Sequence, residues 1–127
     1  MATEQIVLYA VGAAVLFLYG RRIFLRMSIN QYSPTTLAKR MDEGNVVLLD
    51  VRTSQERSAS LIKGSIHIPI NELVKDSEKL QKYKTKEIVC YCQTGSRSLV
   101  AASRLKKLGF TVGNLKGGIA EWNYFYR

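Results

Sequence analysis

The chain begins with a long apolar stretch and then alternates short apolar runs with amphipathic segments. Ile6 to Tyr19 contains no charged or strongly polar side chain. Val46 to Asp50 (VVLLD) and Glu87 to Tyr91 (EIVCY) are continuous β-rich runs, typical of strands that are buried on both faces. Two weaker runs, Ser65 to Pro69 and FTVGN at residues 110–114, predict further short β segments.

Helices are predicted between these runs. Ser33 is a candidate N-cap, Pro34 lies in the first turn, and Gly44 ends a segment whose apolar residues share one face. The clearest helix runs from Ser98 to Leu108, with apolar residues at helical spacing: Leu99, Ala102, Leu105 and Leu108. Glu72 to Leu80 is weakly helical, and Ile119 to Tyr126 predicts a closing helix that contains Trp122 in the core.

This order of elements predicts an α/β fold. Short β runs that alternate with helices imply a parallel sheet with helices on both faces. In such sheets, ligands bind beyond the carboxyl ends of the strands. Cys92 immediately follows the Glu87 to Tyr91 run. We therefore expect the functional site there.

The first 26 residues are predicted to anchor the chain to a membrane. The fourteen apolar residues span about 21 Å as a helix, and counting from Thr3 with Arg21 and Arg22 snorkelling brings this near the ~30 Å hydrocarbon core. Glu4 precedes the apolar stretch and the arginines follow it, which is the reverse of a signal peptide. We expect a single-pass anchor and basic flank over residues 1–26 and one domain over residues 27–127. By the positive-inside rule, that domain faces the cytoplasm.

Composition narrows the function classes. The 127 residues carry a net charge of +9, spread along the chain without aromatic interleaving, so we expect a solvated basic surface and no nucleic-acid partner. Small anionic substrates remain compatible with this charge. The only two cysteines, Cys90 and Cys92, are two residues apart, which excludes a disulfide framework. In the reducing cytoplasm both are expected as thiols.

The turn after Cys92 is the candidate chemistry. A strand that ends, turns and begins a helix leaves amide N–H groups without carbonyl partners, and Gly95 is free to adopt positive φ. These amides can form an anion nest that stabilises a thiolate, so no histidine base is needed and His67 is expected to have a structural role. Three reactions remain open on these residues: phosphoryl transfer, reduction of an oxyanion, and sulfur transfer through a persulfide.

Four motifs resemble single-domain rhodaneses in order and spacing: LLDVRTSQE, IKGSIHIP, IVCYCQTGSRS and LKGGIAEW, over Ile29 to Trp122. The resemblance implies a rhodanese α/β domain with a central five-stranded parallel sheet and no metal or cofactor. It also implies that Cys92 accepts a sulfane sulfur from thiosulfate or another small anionic donor and passes it to a thiol or to cyanide. Gln93 stands where many members of the family have a basic residue, which weakens the case for thiosulfate as the natural donor.

The active-site loop implied by the resemblance has six residues: Cys92, Gln93, Thr94, Gly95, Ser96 and Arg97. Phosphatases and arsenate reductases on the same fold resemble one another in a loop one residue longer, so the short loop favours sulfur. A membrane-tethered persulfide carrier or docking module that serves a protein acceptor is the main alternative, and a phosphatase or arsenate reductase is a further one.

Residues around the loop carry further expectations. Asp50 and Arg52 resemble the family's DVR element, and we expect a supporting ion pair rather than substrate contact. Arg97 either contacts the substrate or pairs with a carboxylate that braces the loop. Cys90 is expected to be a buried packing residue. Gly117 and Gly118 are expected to form a tight turn beside the site.

Overall fold

The computed structural model describes residues 2–126, apart from the side chains of residues 25–27. Within this range the helices are α1 (Ala2–Met27), α2 (Pro34–Asp42), α3 (Ser54–Ala59), α4 (Ser96–Lys107) and α5 (Gly118–Tyr126). The strands are β1 (Asn30–Tyr32), β2 (Val46–Asp50), β3 (Ile66–His67), β4 (Glu87–Tyr91) and β5 (Thr111–Leu115). Two 3-10 segments, Ile70–Glu72 and Ser77–Tyr83, connect β3 to β4.

All five strands form one parallel sheet in the order β1-β5-β4-β2-β3. In the centre, β2 pairs with β4 from Val46 opposite Glu87 to Asp50 opposite Tyr91. Because the strands are parallel, their carboxyl ends lie along one edge, and the residues that follow β2 and β4 are neighbours there. This edge carries the site described below.

Two apolar layers cover the sheet, as the alternation of elements predicts. On one face, α4 packs through Ala101, Ala102 and Leu105, together with Leu73 and Leu80 from the connection between β3 and β4. On the other face, α2 and α5 pack through Leu37 and Ile119. Successive residues of a strand point to opposite faces, so both layers share the short strands β2 and β4, and this explains their uninterrupted apolar sequences.

Several element boundaries differ from the sequence-based expectation. The predicted helix over residues 72–80 is replaced by the two 3-10 segments and the turn between them, and Leu73 and Leu80 are buried while Val74 is exposed. Leu73 and Leu80 reach the core from separate turns of the chain, and this does not require a continuous helix. Helix α4 begins at Ser96, two residues before the predicted start, so part of the loop is already its first turn. Trp122 is half-buried and packs against the core from its edge.

Helix α1 has the length and composition of a membrane-spanning helix. Its segment Ala2–Phe24 has 23 residues and a mean hydropathy of 1.6, and none of its most apolar window is buried against the rest of the chain. At 1.5 Å per residue this segment is about 35 Å long, which exceeds the length of about 21 Å expected for the fourteen-residue apolar stretch. The side chain of Arg26, part of the predicted basic flank, lies outside the described residues.

Candidate active site

The loop between β4 and α4 places Cys92 at the carboxyl edge of the sheet, where the sequence predicts the site. Cys92 directly follows the last residue of β4, and Gly95 is the residue before α4. Gly95 has φ of +103°, a conformation that side chains with a Cβ rarely adopt. A Cβ at this position would also lie 3.3 Å from the Gly117 nitrogen. The tight return of the loop therefore depends on glycine.

Hydrogen-bond donors converge on the Cys92 sulfur. The Gly95 N–H donates to Sγ at 3.1 Å, and the Ser98 hydroxyl lies 3.3 Å from the same atom. The backbone N–H groups of Thr94 and Ser98 also favour the charged form of the sulfur and lower the pKa of Cys92. This is the anion nest that the turn sequence predicts, and it lies at the amino end of α4, where the helix dipole favours negative charge.

The nest decides the ionisation of the thiol. Cys92 is only 1% exposed, and burial by itself would raise its pKa. The hydrogen bonds from Ser98, Gly95 and Thr94 outweigh burial, so the pKa of Cys92 lies below its ordinary value. The site therefore favours the thiolate, which is the nucleophilic form of cysteine.

Cys90 has the opposite environment. It is fully buried in the layer under α4, and burial raises its pKa far above the ordinary range. The structure contains both cysteines as free thiols, with no disulfide between them. Cys90 is thus an apolar packing residue with an inert thiol.

Arg97 braces the loop from the first turn of α4. Both of its terminal nitrogens donate to Glu56, each at 2.7 Å. Glu56 is fixed in turn by a capping box with Thr53 at the start of α3. The Arg97 hydrogen bonds are the main reason that the pKa of Glu56 falls to about 2. Of the two roles left open for Arg97, the geometry matches the carboxylate brace.

Glu56 was not predicted from the sequence. The Thr53-x-x-Glu56 pattern is a visible helix-start signal. Its pairing with a residue 41 positions later could not be read from that pattern.

Asp50 and Arg52 form a buried ion pair behind the loop. Arg52 donates to Asp50 through Nε at 3.0 Å and Nη2 at 2.9 Å, and neither side chain is more than 2% exposed. The Tyr91 hydroxyl and Arg57 also donate to Asp50. Burial would raise the pKa of Asp50, but the hydrogen bonds from Arg52 keep it below the ordinary value. This cluster ties the ends of β2 and β4 together.

His67 is likewise part of the framework. Its Nε2 lies 2.7 Å from the backbone oxygen of Arg52. The ring is thus in hydrogen-bond contact with the chain just beyond β2, consistent with the structural role expected for it.

Helix α5 supports the loop from the other side. The N–H groups of Ile119 and Ala120 donate to the carbonyl oxygens of Cys92 and Gln93, at 2.9 and 3.1 Å. This close approach requires Gly118, whose φ is +63° and whose added Cβ would lie 2.5 Å from both oxygens. The predicted tight turn at Gly117 and Gly118 is therefore present and holds the loop from behind.

A polar network that the sequence did not indicate extends from the sulfur to β1. Ser98 also donates to Oδ1 of Asn114, and Nδ2 of Asn114 donates to Gln31 at 2.9 Å and to the Gly95 carbonyl at 3.3 Å. Ser98 and Asn114 are both buried. The serine hydroxyl has one proton and two acceptors, the sulfur and the amide oxygen.

The outer surface of the loop is open to solvent. Gln93, Thr94 and Ser96 are exposed, and none of them donates to the sulfur through its side chain. A cavity of about 300 Å³ lies beside the loop, lined by Gln31, Thr94, Gly95, Asn114, Lys116 and Gly117. Lys116 places a cation there, whereas the position after Cys92 has none.

A parallel five-stranded α/β domain with a thiolate-stabilising loop at its carboxyl edge is the architecture of the rhodaneses. Residues 33–124 match the rhodanese-like domain family, and the chain belongs to this family. Its homologues include sulfurtransferases.

A sulfurtransferase of Allochromatium vinosum is 30% identical over 96 residues, which cover 74% of this chain and 88% of the relative. The human thiosulfate:glutathione sulfurtransferase is 32% identical over 92 residues, 62% of this chain and 80% of that protein. The crystal structure of a rhodanese-related protein from Thermoplasma volcanium aligns with a TM-score of 0.70 and 29% identity, over 77% of this chain and 95% of that one.

Proposed function

We propose that the protein is a sulfurtransferase that carries a sulfane sulfur as a persulfide on Cys92. The observation that carries this proposal is the convergence of the Gly95 N–H and the Ser98 hydroxyl on a sulfur whose pKa is lowered. Such a site favours a nucleophilic thiolate without a histidine base. Similarity to named sulfurtransferases supports the same chemistry.

In the first step, the Cys92 thiolate attacks the sulfane sulfur of thiosulfate or a similar anionic donor. A new S–S bond forms to Cys92 while the donor's S–S bond breaks, and sulfite leaves with the electron pair of that bond. The negative charge of the enzyme then lies on the outer sulfur of the persulfide. The loop amides and the amino end of α4 stabilise that charge.

In the second step, a nucleophilic acceptor takes the outer sulfur. A thiolate forms a new S–S bond and leaves as a persulfide, or cyanide forms a C–S bond and leaves as thiocyanate. In both cases the Cys92–S bond breaks and Cys92 is returned as the thiolate. The nest that lowers the pKa of Cys92 also makes it a good leaving group in this step.

The surrounding residues have supporting roles. Arg97 holds the first turn of α4 through Glu56, and Asp50 with Arg52 holds the strand ends from which the loop starts. Lys116 supplies positive charge near the loop for a small anionic donor. Gln93, Thr94 and Ser96 form the exposed part of the loop that donor and acceptor meet.

The chain is a single-pass membrane protein whose rhodanese-like domain faces the cytoplasm, with residues 1–26 as anchor and 27–127 as domain. The length and hydropathy of Ala2–Phe24 support the anchor, and Arg21 and Arg22 after the apolar stretch support the orientation. After cell fractionation we expect the full chain in the membrane pellet and a chain that begins at Met27 in the soluble fraction. Full chain recovered without detergent in the soluble fraction would rule out the anchor.

Mass spectrometry of the intact protein tests the sulfur chemistry. Incubation with thiosulfate or a polysulfide should add the mass of one sulfur atom, and cyanide or a thiol should remove it. Cys92→Ser should abolish both steps, because a hydroxyl forms no persulfide, while Cys90→Ser should retain them and serves as the matched control. Arg97→Ala should slow loading.

The outcomes separate the candidate functions. Turnover that saturates with a small donor supports the enzyme, whereas sulfur that passes only to a protein acceptor identifies a persulfide carrier. Loading of Cys92→Ser, or turnover of phosphate esters by the wild type through a phosphocysteine, would refute the sulfurtransferase proposal.

A further inference from the structure

A second polar cavity lies where α1 meets the carboxyl end of α4. Its volume is about 260 Å³, and it is lined by Leu18, Arg21 and Arg22 of α1 and by Lys107 of α4. Three of these four side chains are cations. Among the ion pairs of the described residues, none involves any of the three. A concave surface with three cations and no carboxylate partner attracts an anion.

The two walls of this cavity are linked by a direct contact. Nζ of Lys106, next to Lys107 in the last turn of α4, donates to the backbone oxygen of Ser28 at 3.1 Å. Ser28 lies directly after α1. This contact joins the end of the membrane helix to the end of α4, so cations from both helices face the same space.

The position of the cavity along α1 indicates which anion would reach it. Arg21 and Arg22 follow the apolar stretch, where a spanning helix leaves the hydrocarbon and enters the headgroup layer. Leu18, one turn earlier, forms the apolar wall. A ligand here has its anionic part among the cations and hydrocarbon next to Leu18. Anionic phospholipids have both parts.

The chemistry of the cations fits a phosphate ester. Guanidinium groups bind phosphate oxygens through paired N–H donors, and a lysine adds a compact charge. The cavity volume is close to the lower end of small-molecule sites, about 300 Å³, which suits a headgroup rather than a whole lipid.

We propose that this cavity binds the phosphate headgroup of an anionic phospholipid in the bilayer that α1 spans. The inference rests on the membrane anchor proposed above, but not on the sulfur chemistry. Binding would hold the carboxyl end of α4 against the membrane surface and so fix how the domain sits on the bilayer.

Native mass spectrometry of the full chain in detergent tests the site, with phosphatidylglycerol and phosphatidylcholine added in equal amounts. The wild type should retain phosphatidylglycerol in preference. Lys107→Gln should weaken this retention about fivefold, because each cation near an anionic membrane surface contributes about that factor. Lys107→Arg should restore it. Lys75→Gln, which removes an exposed lysine from the turn between the two 3-10 segments, is the matched control and should behave as wild type.

Four results would overturn the proposal. Equal effects of Lys107→Gln and Lys75→Gln would show diffuse charge attraction rather than a site. Displacement of the lipid by inorganic phosphate at equal concentration would show a general phosphate site. No preference for phosphatidylglycerol in a chain that fractionates with membranes would refute the lipid site alone, whereas a soluble full chain would refute the anchor as well. The thermal unfolding midpoint of Lys107→Gln, expected to equal that of the wild type, verifies its fold.

Discussion

Replacing Ser98 by alanine should raise the pKa of Cys92. The Ser98 hydroxyl is fully buried, 3.3 Å from the sulfur, and it has Asn114 as its other acceptor. When Cys92 ionises, the negative sulfur becomes the better acceptor for the single hydroxyl proton. Ser98→Ala removes this donor while the Gly95 N–H and the other loop amides stay in place.

The size of the effect follows from the hydrogen bond. A hydrogen bond to a charged group contributes about 1.5–3 kcal/mol, and one pKa unit corresponds to about 1.4 kcal/mol. The 3.3 Å distance and the competition from Asn114 place Ser98 at the lower end, so we expect a rise of about one unit. Below both pKa values the thiolate fraction then falls about tenfold. Because a more basic thiolate is also more nucleophilic, with a Brønsted coefficient near 0.4–0.5, sulfur loading should slow only about threefold.

The same shift has a consequence for stability. The folded pKa of Cys92 is lowered, so its thiolate stabilises the fold at pH above the unfolded value of about 8.5. This contribution is lost as the pH falls through the folded pKa. Ser98→Ala brings the folded and unfolded pKa values of Cys92 closer together. At high pH, Cys92→Ser should therefore cost less stability in the Ser98→Ala background than in the wild-type background.

Alkylation by iodoacetamide as a function of pH measures the pKa directly. All variants should carry Cys90→Ser, so that only one thiol reacts. Ser103→Ala is the matched control, because Ser103 lies on the same helix and donates to the Leu99 carbonyl rather than to the sulfur. A midpoint for Ser98→Ala that equals that of Ser103→Ala would refute the role of the hydroxyl. A wild-type midpoint at or above about 8.5 would refute the nest itself.

Two further predictions concern the supports of the loop. Glu56→Gln should slow sulfur loading by a few-fold with little loss of stability, because glutamine preserves the capping box and the partly exposed ion pair with Arg97 contributes only about 1 kcal/mol. Loading kinetics and urea unfolding measure the two effects. A loading rate equal to that of the wild type would contradict the role of the ion pair as a brace. Asp50→Ala should lower the free energy of unfolding by about 3–5 kcal/mol, because Arg52 is left buried without its partner. In the wild type, Asp50 stabilises the fold at pH above its unfolded pKa, and that contribution is lost as the pH falls through the lowered folded pKa. The thermal unfolding midpoints of the two proteins should therefore converge in acid.

The centre of the fold could be predicted because its signals are local. The strands β2 and β4 are continuous apolar runs, and α4 has apolar residues at helical spacing, so pattern alone identifies them. The edge strand β1 (Asn30–Tyr32) has no such pattern: its three residues are polar or aromatic and at most half-buried, and it is a strand because β5 pairs with it. The resemblance to a five-stranded family predicted a fifth strand but did not place it at these residues.

The site likewise has a part that the sequence predicts and a part that it does not. The nucleophile, the turn glycine and the helix start lie within a few residues of each other, so the thiolate nest follows from the sequence. Glu56 and Asn114 act on that loop from 41 and 19 residues away, through contacts that only the sheet order brings about. The choice between two roles for Arg97 could not be made until its partner was located in space.

In the membrane orientation proposed above, the length of α4 separates the Cys92 sulfur from the membrane. The Cys92 loop lies at the amino end of α4, and the cations of the proposed lipid site lie on α1 and at the carboxyl end of α4. Twelve helical residues separate the two ends by about 18 Å. With the carboxyl end of α4 held at the bilayer as proposed above, we expect the loop, and any donor or acceptor that approaches it, on the side of the domain that faces away from the bilayer.

This distance makes a quantitative prediction for the full chain in nanodiscs. At physiological ionic strength the Debye length is about 8 Å, so the potential of an anionic bilayer falls to about a tenth over 18 Å. Thiosulfate should then load Cys92 at nearly the same rate in phosphatidylcholine nanodiscs and in nanodiscs that contain phosphatidylglycerol. At about 0.01 M salt the Debye length is about 30 Å, and the anionic nanodiscs should slow the loading, because thiosulfate is repelled at the distance of the loop. Slowing by anionic lipid that persists at physiological salt would mean that the loop lies at the membrane surface, and it would contradict the orientation inferred from α1 and α4.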